Sequence, residues 1–241
     1  MIELRQLTKT YGARKDARGV FNVDLHAPDG AITGILGLNG AGKTTLIKAV
    51  CGIHCKTSGK ILLDGAEATE LELRAASGLV PERPLLYESF TVREFLHTAA
   101  ELRGIPKTDI PAAARHAIKK CKLEEYADTR ISALSKGFCQ RVSFAQATIH
   151  NPAVLVLDEP AGGLDPAQIV QTRALIRESA ASRTVILCTH LMQEAEALCG
   201  TIYVISNGKI IAHGTAAQLC AQAKARSLEE AFLKLTDAPA R

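Results

Sequence analysis

The octet Gly37-Leu38-Asn39-Gly40-Ala41-Gly42-Lys43-Thr44 constrains the fold more than any other feature of the chain. It satisfies the Gly-x-x-x-x-Gly-Lys-Ser/Thr pattern in full. Glycines let the backbone curl so that successive N–H groups face one central anion. Lys43 adds a fixed positive charge near the β- and γ-phosphates of a bound nucleotide, and the Thr44 hydroxyl can ligate Mg²⁺. The binding set taken from this loop is Gly37, Asn39, Gly40, Ala41, Gly42, Lys43, Thr44 and Thr45. Such a loop works only between a strand and a helix, whose N-terminus favours negative charge. Residues 31 to 36 read as a buried strand broken by Gly34, and residues 43 to 50 as a helix that Gly52 ends.

The surrounding pattern extends this unit into an α/β chain. Short β-like runs fill residues 2 to 36, punctuated by Tyr11-Gly12 and Pro28-Asp29-Gly30. Residues 59 to 65 read as a strand and turn, and Gly78-Leu79-Val80 as a buried strand ending at Pro81. From Thr91 to about Ile149 the pattern is helical, and Thr91 with Glu94 forms a capping-box sequence. Strands are then expected at 154–157, 184–188, 201–206 and 209–212, the last two joined by a turn at Asn207-Gly208. Helices are expected between them at about 168–181 and 192–198. This alternation means a parallel sheet covered by helices. With no Trp and 4% aromatic residues, the core must be built mainly from Leu, Ile, Val and Ala.

The apolar run Val154-Leu155-Val156-Leu157 ends in Asp158-Glu159. A buried parallel strand delivers its last residues to the carboxyl edge of the sheet, where ligands bind. Asp158 can hold Mg²⁺ through water. Glu159, one residue on, is placed to orient or deprotonate an attacking water.

Between these two sites stands Leu134-Ser135-Lys136-Gly137-Phe138-Cys139-Gln140. It resembles the Leu-Ser-Gly-Gly-Gln signature of ABC ATPases, with Lys136 and the Phe138-Cys139 pair as variants. Ser135 is expected to cap a helix whose N–H groups face an anion. In ABC proteins that anion is the γ-phosphate held by a partner subunit, so the resemblance adds Ser135, Gly137 and Gln140 to the nucleotide-binding residues. It also implies that Ala161 to Asp165 is the D-loop, that His190 is the switch histidine and that Tyr11 stacks on adenine. The loop after Val80 usually carries Gln as a Mg²⁺ ligand; here Glu82 takes that place and brings negative charge toward the phosphates. The loop from Tyr11 through Arg18 is also slightly long. The segments 81–96, 134–137 and 227–233 are similar to ABC-2 type exporter ATPases, including the multidrug, gliding-related and copper-reductase-accessory groups.

The resemblance implies a P-loop NTPase of RecA-like core, with an N-terminal antiparallel β subdomain and an inserted helical subdomain. Within a single domain of 241 residues, the ATP-binding core is expected at 1–82 and 149–215, the helical signature subdomain at 83–148 and a helical tail at 216–241. The catalytic set is Glu159, His190 and Lys43, the metal set Thr44, Glu82 and Asp158, and the cofactors ATP and Mg²⁺. The implied partners are a second ATPase subunit, identical or related, and a separate transmembrane permease. The chain would then sit peripherally on the cytoplasmic side of a membrane.

Bulk properties exclude several other classes. The formal charge is +4 with both signs interspersed, whereas nucleic-acid binders concentrate basic residues in a stripe. The nearest such run, Ala13 to Arg18, is interrupted by Asp16 and reads as a solvated loop. Seven scattered cysteines fit reduced thiols in a cytosolic protein. Cys51, His54 and Cys55 have no second Cys/His pair at zinc spacing. The start carries no signal-peptide pattern, and no stretch approaches the ~20 apolar residues that span a bilayer. The rival reading is a soluble ABC ATPase acting on DNA or ribosomes, but the long insertions or second cassette of such proteins are missing. An unrelated P-loop kinase or GTPase is opposed by the signature and by the lack of an Asn-Lys-x-Asp stretch.

Overall fold

The computed structural model describes residues 1–12 and 18–237. The run expected as a solvated loop lies outside the described residues except for Arg18, as do the last four residues of the tail. Ten strands and nine α-helices follow in order among the described residues: β1 (Ile2–Tyr11), β2 (Arg18–Ala27), β3 (Ile32–Leu36), α1 (Lys43–Val50), β4 (Ser58–Leu63), β5 (Ala66–Glu67), α2 (Glu70–Ala76), β6 (Ser77–Val80), α3 (Val92–Leu102), α4 (Ile110–Lys120), α5 (Lys136–Thr148), β7 (Val154–Asp158), α6 (Pro166–Ala180), β8 (Thr184–Thr189), α7 (Met192–Leu198), β9 (Thr201–Ser206), β10 (Lys209–Gly214), α8 (Ala216–Gln222) and α9 (Leu228–Asp237).

They form two sheets. Four strands in the order β2-β1-β4-β5 make an antiparallel sheet, and six in the order β10-β9-β3-β8-β7-β6 make the central one. Five central strands run parallel, and only the edge strand β10 is antiparallel, to β9. The centre is β3, β8 and β7, in which every residue is buried. Strands buried on both faces need continuous apolar sequence, which is why 154–157 is unbroken Val and Leu.

Side chains alternate across that sheet, and the two faces build different cores. Leu155, Leu157, Val185 and Leu187 meet α3, α4 and α5 through Phe95, Leu96, Ile118 and Phe144. Val154, Val156, Ile186 and Cys188 face the other way, toward α1 and the inner face of the antiparallel sheet, where Leu4, Leu7, Val23 and Leu25 lie. Fully burying one such side chain stabilises the fold by about 1.5–3 kcal/mol. A third cluster packs Leu36, Ile202 and Val204 beneath Leu219, Leu228 and Phe232 of α8 and α9.

Local chemistry starts and stops the helices. The expected capping box forms at α3: the Glu94 N–H donates to Thr91 Oγ1 (3.2 Å), and the Thr91 N–H to Glu94 Oε2 (2.8 Å). The expectations for 31–36 and 168–181 are corrected. Gly34 does not break β3; it lies where a Cβ would come 2.7 Å from Cys199 Sγ, so close packing requires it. Helix α6 begins at Pro166, because Asp165 accepts from the Gln168 N–H (2.9 Å) and proline suits a first helical position. Helix α2 occupies a stretch where no element was expected. Its capping box, Thr69 with Glu72, is as legible as the one at Thr91.

At the end of the sheet opposite the P-loop, His150 places Nε2 3.2 Å from the Ser77 carbonyl oxygen. Burial, with Arg103 and then Arg183 nearby, pushes its pKa down to about 4. Because the unfolded chain keeps an ordinary histidine, it binds the proton more readily than the folded chain between about pH 6.5 and pH 4. Stability contributed by neutral His150 is therefore complete above that window and lost as pH falls through it. Chemical denaturation across the window should show wild type losing stability more steeply than His150→Asn; parallel curves would refute this.

Candidate functional site

The loop between β3 and α1 forms one wall of a cleft of about 750 Å³ at the carboxyl edge of the central sheet. Leu38, Asn39, Gly40, Gly42, Lys43, Thr44 and Thr45 line it, together with Tyr11, Glu82, Asp158 and Glu159. Gly37 and Ala41 belong to the same loop but lie behind this lining. The backbone turns through Gly42 at φ 109°, a left-handed value that favours glycine. No side chain caps α1 and no acid stands in its first turn. Its N-terminal N–H groups are therefore left for an anion.

Lys43 is 6% exposed. Its ammonium donates to the Gly37 carbonyl (2.7 Å) and to that of Leu38 (3.3 Å), and sits 3.4 Å from Glu159 Oε1. A buried cation needs such partners to offset lost hydration. Beside it, the Thr44 hydroxyl donates to Asp158 Oδ2 (3.2 Å). Burial above all pushes the Asp158 pKa up; Glu159 and Glu82 add to this, while Thr44 and Lys43 oppose it. Three carboxylates, Asp158, Glu159 and Glu82, thus line the cleft with two cations, Lys43 and Arg18.

Glu159 follows β7 and has φ 49°, an unusual conformation for a residue with a side chain. Its N–H donates to the Cys188 carbonyl of the neighbouring strand (2.9 Å), which fixes that turn. Thr189 Oγ1 donates to Glu159 Oε2 (3.1 Å) and accepts from the Leu191 N–H (3.0 Å). His190 Nδ1 lies 2.8 Å from Glu159 Oε1, close but off the line of a hydrogen bond. The structure thus brings Lys43, Thr44, Glu82, Asp158, Glu159 and His190 together from four separate loops. The cluster can hold a polyphosphate, present a divalent-cation ligand set and aim a carboxylate at a water.

Ser135, Gly137 and Gln140 do not line this cleft; they lie at the start of α5, which packs against α6. A Cβ at Gly137 would come within 2.4 Å of the Gln168 carboxamide. The expected hydroxyl cap is absent: Ser135 stands at the N-cap position, but its side chain makes no bond to the first turn. Those N–H groups keep their hydrogens free, as at α1.

Sequence reasoning missed Arg18, Gly19, Phe21, Asn207 and Gly208 as cleft residues. The Asn207-Gly208 turn was legible, but its place was not. Gly208 N–H donates to the Ala41 carbonyl (2.9 Å), and the Phe21 N–H to the Gly208 carbonyl (2.8 Å). The β9–β10 turn and β2 thereby brace the phosphate loop from behind.

Thr189→Val would leave a buried carboxylate oxygen and the Leu191 N–H unpaired. Unpaired buried polar groups cost about 1–3 kcal/mol, so urea denaturation should show a loss of that size. An unchanged midpoint would mean that the Thr189 bridge contributes nothing.

Comparisons with known proteins identify the family and the fold. The ABC transporter family pattern matches residues 20–162. The Nod factor export ATP-binding protein I of Paraburkholderia xenovorans is 37% identical over 227 residues, 91% of this chain and 72% of that protein. A solved ATP-binding subunit of an ABC transporter superposes with a TM-score of 0.84 at 28% identity, covering 98% of this chain and 99% of the other. A dimeric ATP-binding cassette bound to ADP and Pi shares the fold, with a TM-score of 0.78 at 24% identity over 89% of this chain and 98% of the other. The family match and these relatives show that the chain belongs to the ABC transporter family and is an ATP-binding, ATP-hydrolysing subunit whose hydrolysis is coupled to transport.

Proposed function

We propose that this chain hydrolyses ATP with Glu159 as the base and works as one of a pair that drives a separate transmembrane permease, in the direction of export. The observation that carries the catalytic part is the convergence of Lys43, Thr189 and His190 on the Glu159 carboxylate. Lys43 and the open N-terminus of α1 hold the β- and γ-phosphates. The Thr189 hydroxyl fixes the direction of the carboxylate, and His190 stands beside it. Glu159 takes a proton from the attacking water as its oxygen bonds to the γ-phosphorus. The bond from that phosphorus to the bridging oxygen breaks, and ADP leaves with the electron pair. The fold at Glu159 stores local strain at this point, as catalytic residues often do.

Thr44, Asp158 and Glu82 would hold Mg²⁺, which supplies positive charge to the phosphate oxygens when bound. The donors fit: one hydroxyl and two carboxylates on the cleft wall. Mg²⁺ commonly takes only one or two carboxylates and completes its shell with phosphate and water. Tyr11 at the mouth of the cleft would stack on adenine. Ser135, Gly137 and Gln140 would face the γ-phosphate of a second subunit, the same chain or a relative. The open helix start at Ser135 supports that role, as does the dimeric state of the related cassette.

Three features support the permease. No helix among the described residues is long and apolar enough to cross a membrane. Next to Glu82 lies an apolar groove of about 400 Å³, lined by Leu85, Leu86, Tyr87, Phe95 and Leu102 among others. Leu85 and Leu102 on its rim are 82% and 80% exposed, a patch that suits a docked partner. The groove belongs to the 83–148 helical segment, which we assign as the subdomain that relays closure from the 1–82 and 149–215 core, with 216–241 as a tail. Attachment through this groove would place the chain peripherally on the cytoplasmic side of a membrane. The export direction rests on the branch likeness and on the related Nod factor export protein.

Glu159→Gln should bind ATP normally but turn over at least ~100-fold more slowly, the scale of lost acid–base catalysis. Near-normal turnover in a phosphate-release assay would remove Glu159 from the base role. Tagged protein purified from gently solubilised membranes of its native cell should carry a multi-spanning membrane protein with it. Recovery only with ribosomes or DNA would replace the transport reading by a soluble ABC machine.

A further inference from the structure

The loop that leaves α1 comes back to the strand that carries Tyr11. Lys48, in the last turn of α1, accepts the backbone N–H groups of Ile53 (2.8 Å) and His54 (3.1 Å) at its carbonyl. A few residues later the Thr57 N–H donates to the Thr8 carbonyl (2.8 Å), and the Thr10 N–H donates to Thr57 Oγ1 (3.1 Å). The segment 53–57 is thus pinned at one end to the helix that begins at Lys43, and at the other to β1. His54 belongs to the first anchor, through its own N–H.

From there the imidazole meets the Tyr11 ring edge-on, with centroids 5.7 Å apart and planes at 86°. The Lys9 ammonium lies 5.2 Å from the Tyr11 centroid. Tyr11 itself is 44% exposed and lines the nucleotide cleft, whereas neither Lys9 nor His54 does. Both neighbours therefore touch the ring from outside the cleft. An edge-to-face aromatic pair has a preferred geometry and adds stabilisation beyond simple burial. Burial first, then Lys48 and Lys9, lower the His54 pKa. The ring stays neutral near pH 7, so the contact is that of an aromatic edge and not of a second cation.

We infer that His54 is a positioning residue for the nucleobase: it braces Tyr11 and sets the distance between the stacking ring and the phosphate loop through α1. The inference rests on the reading that Tyr11 stacks on the base. Its consequence is selective. Ligands with a base should depend on His54, and ligands that reach only the phosphate loop should not.

Calorimetric titration of MgADP and of magnesium pyrophosphate into the full chain separates the two. Tyr11→Ala should weaken MgADP about tenfold and leave pyrophosphate unchanged, the scale of a lost base stack. His54→Ala should weaken MgADP about threefold, again sparing pyrophosphate. His54→Leu, which keeps the bulk without the ring, should match His54→Ala, and His54→Phe should restore wild-type affinity. If Tyr11→Ala weakens MgADP while neither His54→Ala nor His54→Leu does, the brace is refuted and the stack stands. If Tyr11→Ala has no effect, the stack itself falls and the brace with it. If the His54 variants weaken both ligands alike, the residue is structural and the inference is overturned.

Discussion

One buried ammonium, that of Lys43, joins the parts of this molecule that matter for its chemistry. It is held by two carbonyls of its own loop and faces a carboxylate delivered by β7, more than a hundred residues away in sequence. The contact requires that β3 and β7 end at the same edge of one parallel sheet, with β8 between them. The fully buried, mainly apolar packing of those three strands is what holds that edge together. Loosen that packing and the lysine, the acid pair and the histidine after β8 no longer share a corner.

The corner is also under electrostatic tension. Asp158, Glu159 and Glu82 line one cleft, and the proton affinity of Asp158 rises through burial first and through the two neighbouring carboxylates second. A site made this way is costly to the folded protein and complementary to a cation and a polyphosphate together. Side-chain caps start α2, α3, α6 and α8, whereas α1, α4, α5 and α7 start without one; two of these open starts, at Gly42 and Ser135, belong to the phosphate loop and to the Ser135 motif. Orphan N–H groups are a loss for stability and a resource for binding anions.

Close approach of backbones does comparable work elsewhere. A Cβ at Gly78 would lie 2.0 Å from the Ala147 carbonyl oxygen, so β6 and the end of α5 meet with no side chain between them. That contact fixes α5 to the strand leading into Glu82. The helical segment thereby shares a backbone joint with the loop that carries a would-be metal ligand, and with the apolar groove that follows it.

Sequence alone determined the phosphate loop, the acid pair, the alternation of strand and helix, and most element positions, because each follows from short-range rules: glycine where the chain must curl, apolar runs where both faces are buried, caps at helix starts. Where those rules were overread or underread, at Gly34, at the Ser135 cap, at the start of α6 and in α2, the errors were local too. Only the tertiary structure decided which distant residues share the cleft. Arg18, Phe21 and the Asn207-Gly208 turn joined it through sheet packing that leaves no local mark. Only the tertiary structure, likewise, set His54 against Tyr11 and Thr189 against Glu159. Local sequence encodes backbone preference residue by residue, whereas a site is defined by distances, and distances between remote segments are fixed only once the common core has closed.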